Sequence, residues 1–214
     1  MQRVTLPEYE RTISEICELD WAGLSRVDLI EIAWAYYYFS TQFRENLEIA
    51  CAQHPDDTNL RQLHQEECDT DNLSPWPGVA AAGERMNHDE FMRRLLKLSP
   101  ISERRRSELE NAGQLYLKRV RTIDTAIRAI SIASYEGGGL EKVFKAFLLA
   151  PDWDDPLLRA FRWFLMEHIR FDSNPAHGHG ALSRHLLPDE RVLPLWEAFK
   201  QLLIAAVPRL AMAG

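Results

Sequence analysis

The sequence predicts an all-α fold, and three observations support this class. Apolar residues recur at spacings of three and four along most of the chain, no convincing alternating strand interrupts them, and the connections are mostly short. We therefore predict one bundle of seven to eight helices. The whole chain, residues 1–214, is expected to form a single domain whose core spans roughly residues 25–208.

Capping residues and helix breakers predict where each helix begins. Ser25 caps a long second helix, and Asp28 completes its capping arrangement. The helix from Ser102 is expected to continue past Ile130 until the glycines at 137–139 bend or restart it, because each costs a helix roughly 1 kcal/mol. The remaining helices start near these residues: Pro7, Asp56 or Asp57, His88, Leu140, Asp155 and Pro188.

Composition and charge limit the classes of function. Hydrophobic residues make up 46% of the chain and charged residues 27%, an ordinary globular balance. The net charge of −7 repels phosphate backbones, so we expect no nucleic-acid partner. No apolar run approaches the ~20 residues that cross a bilayer, and the N-terminus lacks the apolar stretch of a secretory signal. Three cysteines without CxxC spacing suit reduced thiols. We expect a cytoplasmic protein without a membrane partner, and a homodimer is the commonest oligomer for such chains.

Two polar residues continue an apolar stripe on the helix that follows Asp155. Phe161, Leu165, His168 and Asp172 are spaced by four, three and four residues, so their side chains share one face. Burying the carboxylate is costly unless a positive partner accompanies it. A metal ion is one such partner. A His–Asp pair that satisfies itself by hydrogen bonding is the alternative interpretation of this helix.

The third and fourth helices carry similar groups. Glu67 shares a face with Leu60 and Leu63, whereas its neighbour Glu66 points about 100° away. His88 lies at the start of the next helix. The alternative interpretations are a surface acidic pair and an ordinary helix-start residue.

Two further positions complete the candidate set, each with a competitor. Glu136 precedes the glycines among small residues that leave space around it, and Glu141 on the far side is the second choice. His177 and His179 lie in a histidine-rich tract, a composition that supports metal binding.

This combination of motifs resembles a known family, the haem-oxygenase-like di-iron oxidases. The resemblance lies in Leu60-x-x-Leu63-x-x-x-Glu67, then His88, then Glu136, then His168-x-x-x-Asp172 followed by a histidine. Segment 164–172, Phe-Leu-Met-Glu-His-Ile-Arg-Phe-Asp, is similar to the family's ligand-bearing helix. The wider group includes TenA, PqqC and the iron-containing enzyme CADD. The resemblance covers about residues 30–205 through short motifs.

The resemblance implies two non-haem irons. One iron would be bound by Glu67, His88 and Glu136, and the other by Glu136, His168, Asp172 and a last histidine. Family members place that histidine three residues after the aspartate, where this chain has Pro175. His179 is therefore preferred to His177. Carboxylate and imidazole ligands suit iron or manganese, so manganese in one site stays open.

The resemblance also implies a reaction. The irons would activate O2 to oxidise a small organic substrate of the fatty-acid, amino-acid or amine type. The aromatic residues of segment 34–39 are a candidate lining of the substrate pocket, with ordinary core packing as the alternative.

Two other functions stay open at this point. A metal-free enzyme like TenA or PqqC would share the fold, and TenA-type hydrolysis needs a nucleophilic cysteine among Cys17, Cys51 and Cys68. A non-catalytic helical binding or scaffold module would use the acidic surface and the apolar last helix to recognise a partner.

Overall fold

The computed structural model describes residues 7–172 and 178–211, with the side chain of Asp172 outside that description. The described chain is helical, as predicted, and contains no strand beyond the isolated bridges Thr70–Met86 and Trp76–Ala80. Its α-helices are α1 Glu8–Cys17, α2 Arg26–Gln53, α3 Thr58–Cys68, α4 His88–Leu95, α5 Glu103–Val120, α6 Thr125–Ser134, α7 Leu140–Phe147, α8 Pro156–Asp172, α9 His179–Ser183 and α10 Leu193–Ala206.

A π-helical turn, Tyr135–Gly139, joins α6 to α7 as one bent helix. Counting that pair as one and setting aside the single turn of α9 leaves eight helices in the described segments. This agrees with the predicted seven to eight. Short 3-10 turns flank the last helix at Arg184–Leu186, Glu190–Val192 and Pro208–Ala211.

Most helix starts follow the predicted caps. The Ser25 hydroxyl accepts from the Asp28 amide, and the Asp28 carboxylate accepts from the Ser25 amide, which completes the capping box. Asp57 caps α3 by accepting from the amides of Asn59 and Leu60. The single helix expected from Ser102 past Ile130 is wrong: α5 ends at Val120, and Asp124 accepts from the Ala126 amide to start α6. An aspartate that competes for backbone amides ended the longer helical pattern.

Helix α2 is the centre of the bundle. It packs against α3, α4, α5, α6, α8 and α10. Nearly every side of α2 therefore faces another helix, and residues 29–36 are buried without a break. Every element that later contributes to the candidate site is held directly or indirectly by this helix.

Three consecutive arginines occupy positions 104–106, and the middle one is a partly buried structural residue. The guanidinium of Arg105 donates to both carboxylate oxygens of Glu31, at 2.6 and 2.8 Å, and to the Ala206 carbonyl. Arg104 and Arg106 stay exposed. The pair thus ties α5 to α2 and to the end of α10.

Buried apolar residues from Tyr9 to Leu210 form one continuous cluster. Helices before and after the irregular segment 69–87 contribute to it, which fits the single domain that the sequence predicts. Among the described residues, no helix combines the length and the hydropathy that crossing a bilayer requires.

Candidate metal centre

Five elements bring polar side chains to one place in the interior. The residues are Glu67 at the end of α3, His88 at the start of α4, Glu136 in the π-helical turn, His168 on α8 and His179 at the start of α9. None of them is more than 6% exposed. Five of the six predicted ligands therefore meet in a dry interior.

A first cluster joins Glu67, His88 and His168. Glu67 Oε2 lies 2.7 Å from His88 Nδ1, and His88 Nδ1 lies 3.0 Å from His168 Nε2. One ligand atom from each residue falls within 4.8 Å of the others. Donors bound to one metal at about 2.1 Å are roughly 3 to 4 Å apart, so this separation suits a shared ion.

The outer nitrogen of each histidine is already occupied. His168 Nδ1 donates to the Phe164 carbonyl at 2.8 Å. Asn72 Nδ2 donates to the Glu66 carbonyl, which turns Asn72 Oδ1 toward His88 Nε2 at 3.1 Å. Because Oδ1 is an acceptor, His88 Nε2 carries the proton. Both histidines consequently direct lone pairs inward.

Three acceptor atoms therefore converge: the carboxylate of Glu67, Nδ1 of His88 and Nε2 of His168. Lone pairs at 2.7 and 3.0 Å repel one another unless a positive charge lies between them. One proton or one metal ion provides it. Outer partners that fix the tautomers of buried histidines are a regular feature of metal sites.

A second cluster surrounds His179. Its Nδ1 lies 3.1 Å from Glu67 Oε1 and 3.4 Å from Glu136 Oε2. Its Nε2 lies 3.2 Å from Glu66 Oε2. Glu66 thus orients the histidine from outside, in the carboxylate–histidine arrangement common behind metal ligands. Glu66 was not predicted as part of the site, because helix geometry allows only one of two adjacent glutamates on the apolar face. The only signal for Glu66 in the sequence was its position next to Glu67.

The Glu67 carboxylate belongs to both clusters. Oε2 faces His88, and Oε1 faces His179. The resemblance had placed His168 with Glu136 on the second iron, whereas the structure puts it against His88. Packing of α4 on α8 explains this difference, since it brings the start of α4 beside the middle of α8.

The electrostatics of the two clusters differ. Burial, together with the charge of His88, lowers the pKa of His168 to about 3. Burial works to raise the pKa of Glu67, but His88 and His179 outweigh it and hold the pKa well below its usual range. For His179, burial works to lower the pKa, and hydrogen bonds with Glu136, Glu66 and Glu67 raise it well above its usual value. His168 is therefore neutral, Glu67 ionised and His179 protonated near neutral pH.

The packing of α9 on the π-helical turn places His179 within reach of Glu136. A Cβ at Gly180 would lie 2.6 Å from the Glu136 carbonyl oxygen, so only glycine permits this approach. The turn that carries Glu136 is π-helical, a feature that is frequent at functional sites.

The other predicted positions have separate outcomes. Glu141 is paired with Lys145 at the surface, so the structure favours Glu136 over it. The side chain of Asp172 and all of His177 lie outside the described residues. Their roles as ligands stay predictions.

A small cavity opens beside the first cluster. It offers about 20 Å³ to the centre of a water molecule, which is room for one or two small molecules. Its lining combines ligands with apolar groups: Tyr36, Ser40, Phe43, Arg44, Glu67, Cys68, His88, Asp89, Glu136, Leu140, Phe164 and His168. Of the aromatic residues in segment 34–39, only Tyr36 faces this cavity.

A larger recess adjoins the centre from the surface. It offers about 450 Å³ and is lined by the π-helical turn, α1 and α9, with charged groups at Glu10, Glu141, Lys142 and Arg184. Glu136 also lines the small cavity, so this residue lies between the two spaces. Gly137 and Gly138 leave the wall open, since a Cβ at either position meets nothing within 4 Å.

Comparison of the chain with protein-family models, curated proteins and solved structures gave no match. The function is therefore inferred from the residues and geometry of the site.

Proposed function

We propose that this chain is a non-haem di-iron oxidase of the haem-oxygenase-like type, which uses O2 to oxidise a small organic substrate. The observation that carries the proposal is the convergence of Glu67, His88 and His168 with the histidine lone pairs directed inward by Asn72 and the Phe164 carbonyl. Hard carboxylate oxygens combined with imidazole nitrogens suit iron or manganese.

The residues divide between two metal positions. Glu67 Oε2, His88 Nδ1 and His168 Nε2 would bind one ion. Glu67 Oε1, Glu136 and His179 Nδ1 would bind the other, with Glu67 as the bridge and Asp172 as an additional expected ligand. When bound, the reduced metal pair would supply O2 activation.

The surrounding side chains prepare the site for that chemistry. Tyr36, Phe43 and Phe164 line the small cavity and exclude bulk water. The cavity has room for O2 but not for an organic substrate, so we place the substrate in the recess beyond Glu136. Because both signs of charge line the recess, a polar substrate of the amino-acid or amine type fits it better than a fatty acid.

The metal content of the purified protein tests the proposal. Anaerobic loading with Fe(II) should give two irons per chain, and exposure to O2 should give a transient visible absorption. His168→Ala should lose at least one iron and the absorption. His185→Ala is the matched control, because His185 is partly exposed and pairs with Asp57 away from the centre.

Iron at trace level in the wild-type protein, or equal iron in both variants, would contradict the proposal and favour a binding module.

The thiol-based alternative receives little support from the thiols themselves. Burial raises the pKa of Cys17, Cys51 and Cys68, whereas a nucleophilic cysteine needs a lowered pKa. The cytoplasmic setting expected from the sequence is part of the same proposal.

A further inference from the structure

A second cleft lies on another face of α2, away from the small cavity. It offers about 680 Å³, within the usual range for pockets that bind small organic molecules. Residues of α2, α4 and α5 and of the connection between α4 and α5 line it. It shares no lining residue with the small cavity or with the recess.

The floor of the cleft is aromatic. Trp34 and Tyr38 are buried and Tyr37 is half-buried, and the rings of Tyr37 and Tyr38 meet edge to face at 5.0 Å. Gly113 on α5 allows this arrangement, because a Cβ there would lie 2.1 Å from the Tyr38 ring. Close packing of α5 therefore holds the ring of Tyr38 in place. Flat apolar molecules stack on such surfaces.

The rim of the cleft is basic, although the chain carries a net charge of −7. Arg93, Lys97 and Arg106 line it, against the single carboxylate of Glu110. Arg93 is bound by Glu90, and Arg106 lies 3.8 Å from the Glu110 carboxylate, with both side chains about half exposed. Lys97 makes no ion pair with any described residue.

We propose that this cleft binds a small organic anion with a flat aromatic body, such as an aromatic carboxylate. The rings of Trp34, Tyr37 and Tyr38 contact the flat body, and Lys97 and Arg106 hold the anionic group. The inference is independent of the proposed function, so the metal-loaded and metal-free proteins are expected to bind the anion alike.

Calorimetric titration with three matched probes tests this site. 2-Naphthoate should bind, whereas 2-naphthalenemethanol, which lacks the charge, and inorganic phosphate, which lacks the ring, should bind more weakly. The double variant Lys97→Met, Arg106→Met should weaken naphthoate binding about fivefold, the scale of two exposed charge contacts. The control Lys118→Met, Arg119→Met removes the same charges from exposed positions of α5 outside the cleft and should leave binding unchanged.

Any of four results would overturn the proposal, and the first three concern binding. They are the absence of naphthoate binding, equal binding of the neutral alcohol, and equal loss in both double variants. A dimer that dissociates only in the Lys97, Arg106 variant would also overturn it, because a second copy of the chain would then cover the cleft.

Discussion

The orientation of one amide side chain determines how His88 presents its ring. Asn72 is fixed by donating to the Glu66 carbonyl, and its oxygen then occupies His88 Nε2. His88 starts α4 and Asn72 lies in the segment before it, and the hydrogen bond between them selects the tautomer of His88. Outer partners of this kind typically change metal affinity by factors of ten or more.

Replacing Asn72 with alanine should therefore weaken metal binding without removing a ligand. We expect a loss of about 10- to 100-fold in Mn(II) affinity, since His88 would no longer be held in the tautomer with Nδ1 free. Calorimetric titration measures the effect. Asn59→Ala, at an exposed position of α3, serves as the control; equal affinities in the two variants would argue against this role for Asn72.

The protonation of His179 predicts how metal affinity depends on pH. Its pKa is raised well above the usual value, so the metal-free protein carries a proton there at pH 7. Coordination through Nδ1 must displace that proton, whereas His168, with a pKa of about 3, has none to lose. Affinity should thus rise with pH, and filling the second metal position should release about one proton at pH 7.

Titrations in two buffers of different ionisation enthalpy count the released protons. The His179→Gln variant should bind the metal more weakly and release fewer protons. A binding enthalpy that is the same in both buffers would show that His179 keeps its proton and lies outside the coordination shell.

At the scale of elements, the π-helical turn decides where Glu136 lies. Gly138 has a φ of +100°, a conformation that residues with a side chain rarely adopt, whereas Gly137 has an ordinary φ of −71°. Neither position is crowded. The two glycines therefore form a matched pair that separates backbone strain from steric contact.

Gly138→Ala should destabilise the metal-free protein by about 1 to 2 kcal/mol, because alanine resists that backbone conformation. It should also weaken metal binding by displacing Glu136. Gly137→Ala should have a much smaller effect on both. Urea unfolding followed by fluorescence measures the stability difference, and similar curves for the two variants would contradict the assigned strain.

Elements also show where sequence patterns were sufficient. The capping box at Ser25 and the cap at Asp57 were predictable, because they depend on residues three positions apart or fewer. The break between α5 and α6 was missed, since the apolar stripe continues through it. The hydrogen bond from the Ala126 amide to Asp124 starts a new helix there, although the apolar periodicity continues across the break.

At the scale of the whole molecule, the proposed metal centre would link metal binding to folding stability. Its residues come from α3, α4, α8, α9 and the π-helical turn, so unfolding disperses them. Only the folded state would then bind the ions tightly. A ligand at 100 times its dissociation constant adds about 2.7 kcal/mol of stability.

We expect saturating Mn(II) to raise the midpoint of thermal unfolding by about 5 to 10 °C, the shift that this free energy gives for a chain of such length. Differential scanning calorimetry measures the shift, and EDTA should reverse it. His185→Ala should keep the shift and His168→Ala should lose most of it. A shift of equal size in both variants would place the bound ion elsewhere.

The sequence by itself determined the fold class, most helix starts and the residue types of the candidate centre. Apolar periodicity and caps are local properties, and a histidine or carboxylate on an apolar stripe is visible in one segment. Only the tertiary structure decided that Glu67 contacts both His88 and His179, that His168 lies against His88, and that Glu66 supports the centre from outside. These contacts join residues as many as 113 positions apart in the chain, and their geometry depends on how α4, α8 and α9 pack, which no local pattern encodes.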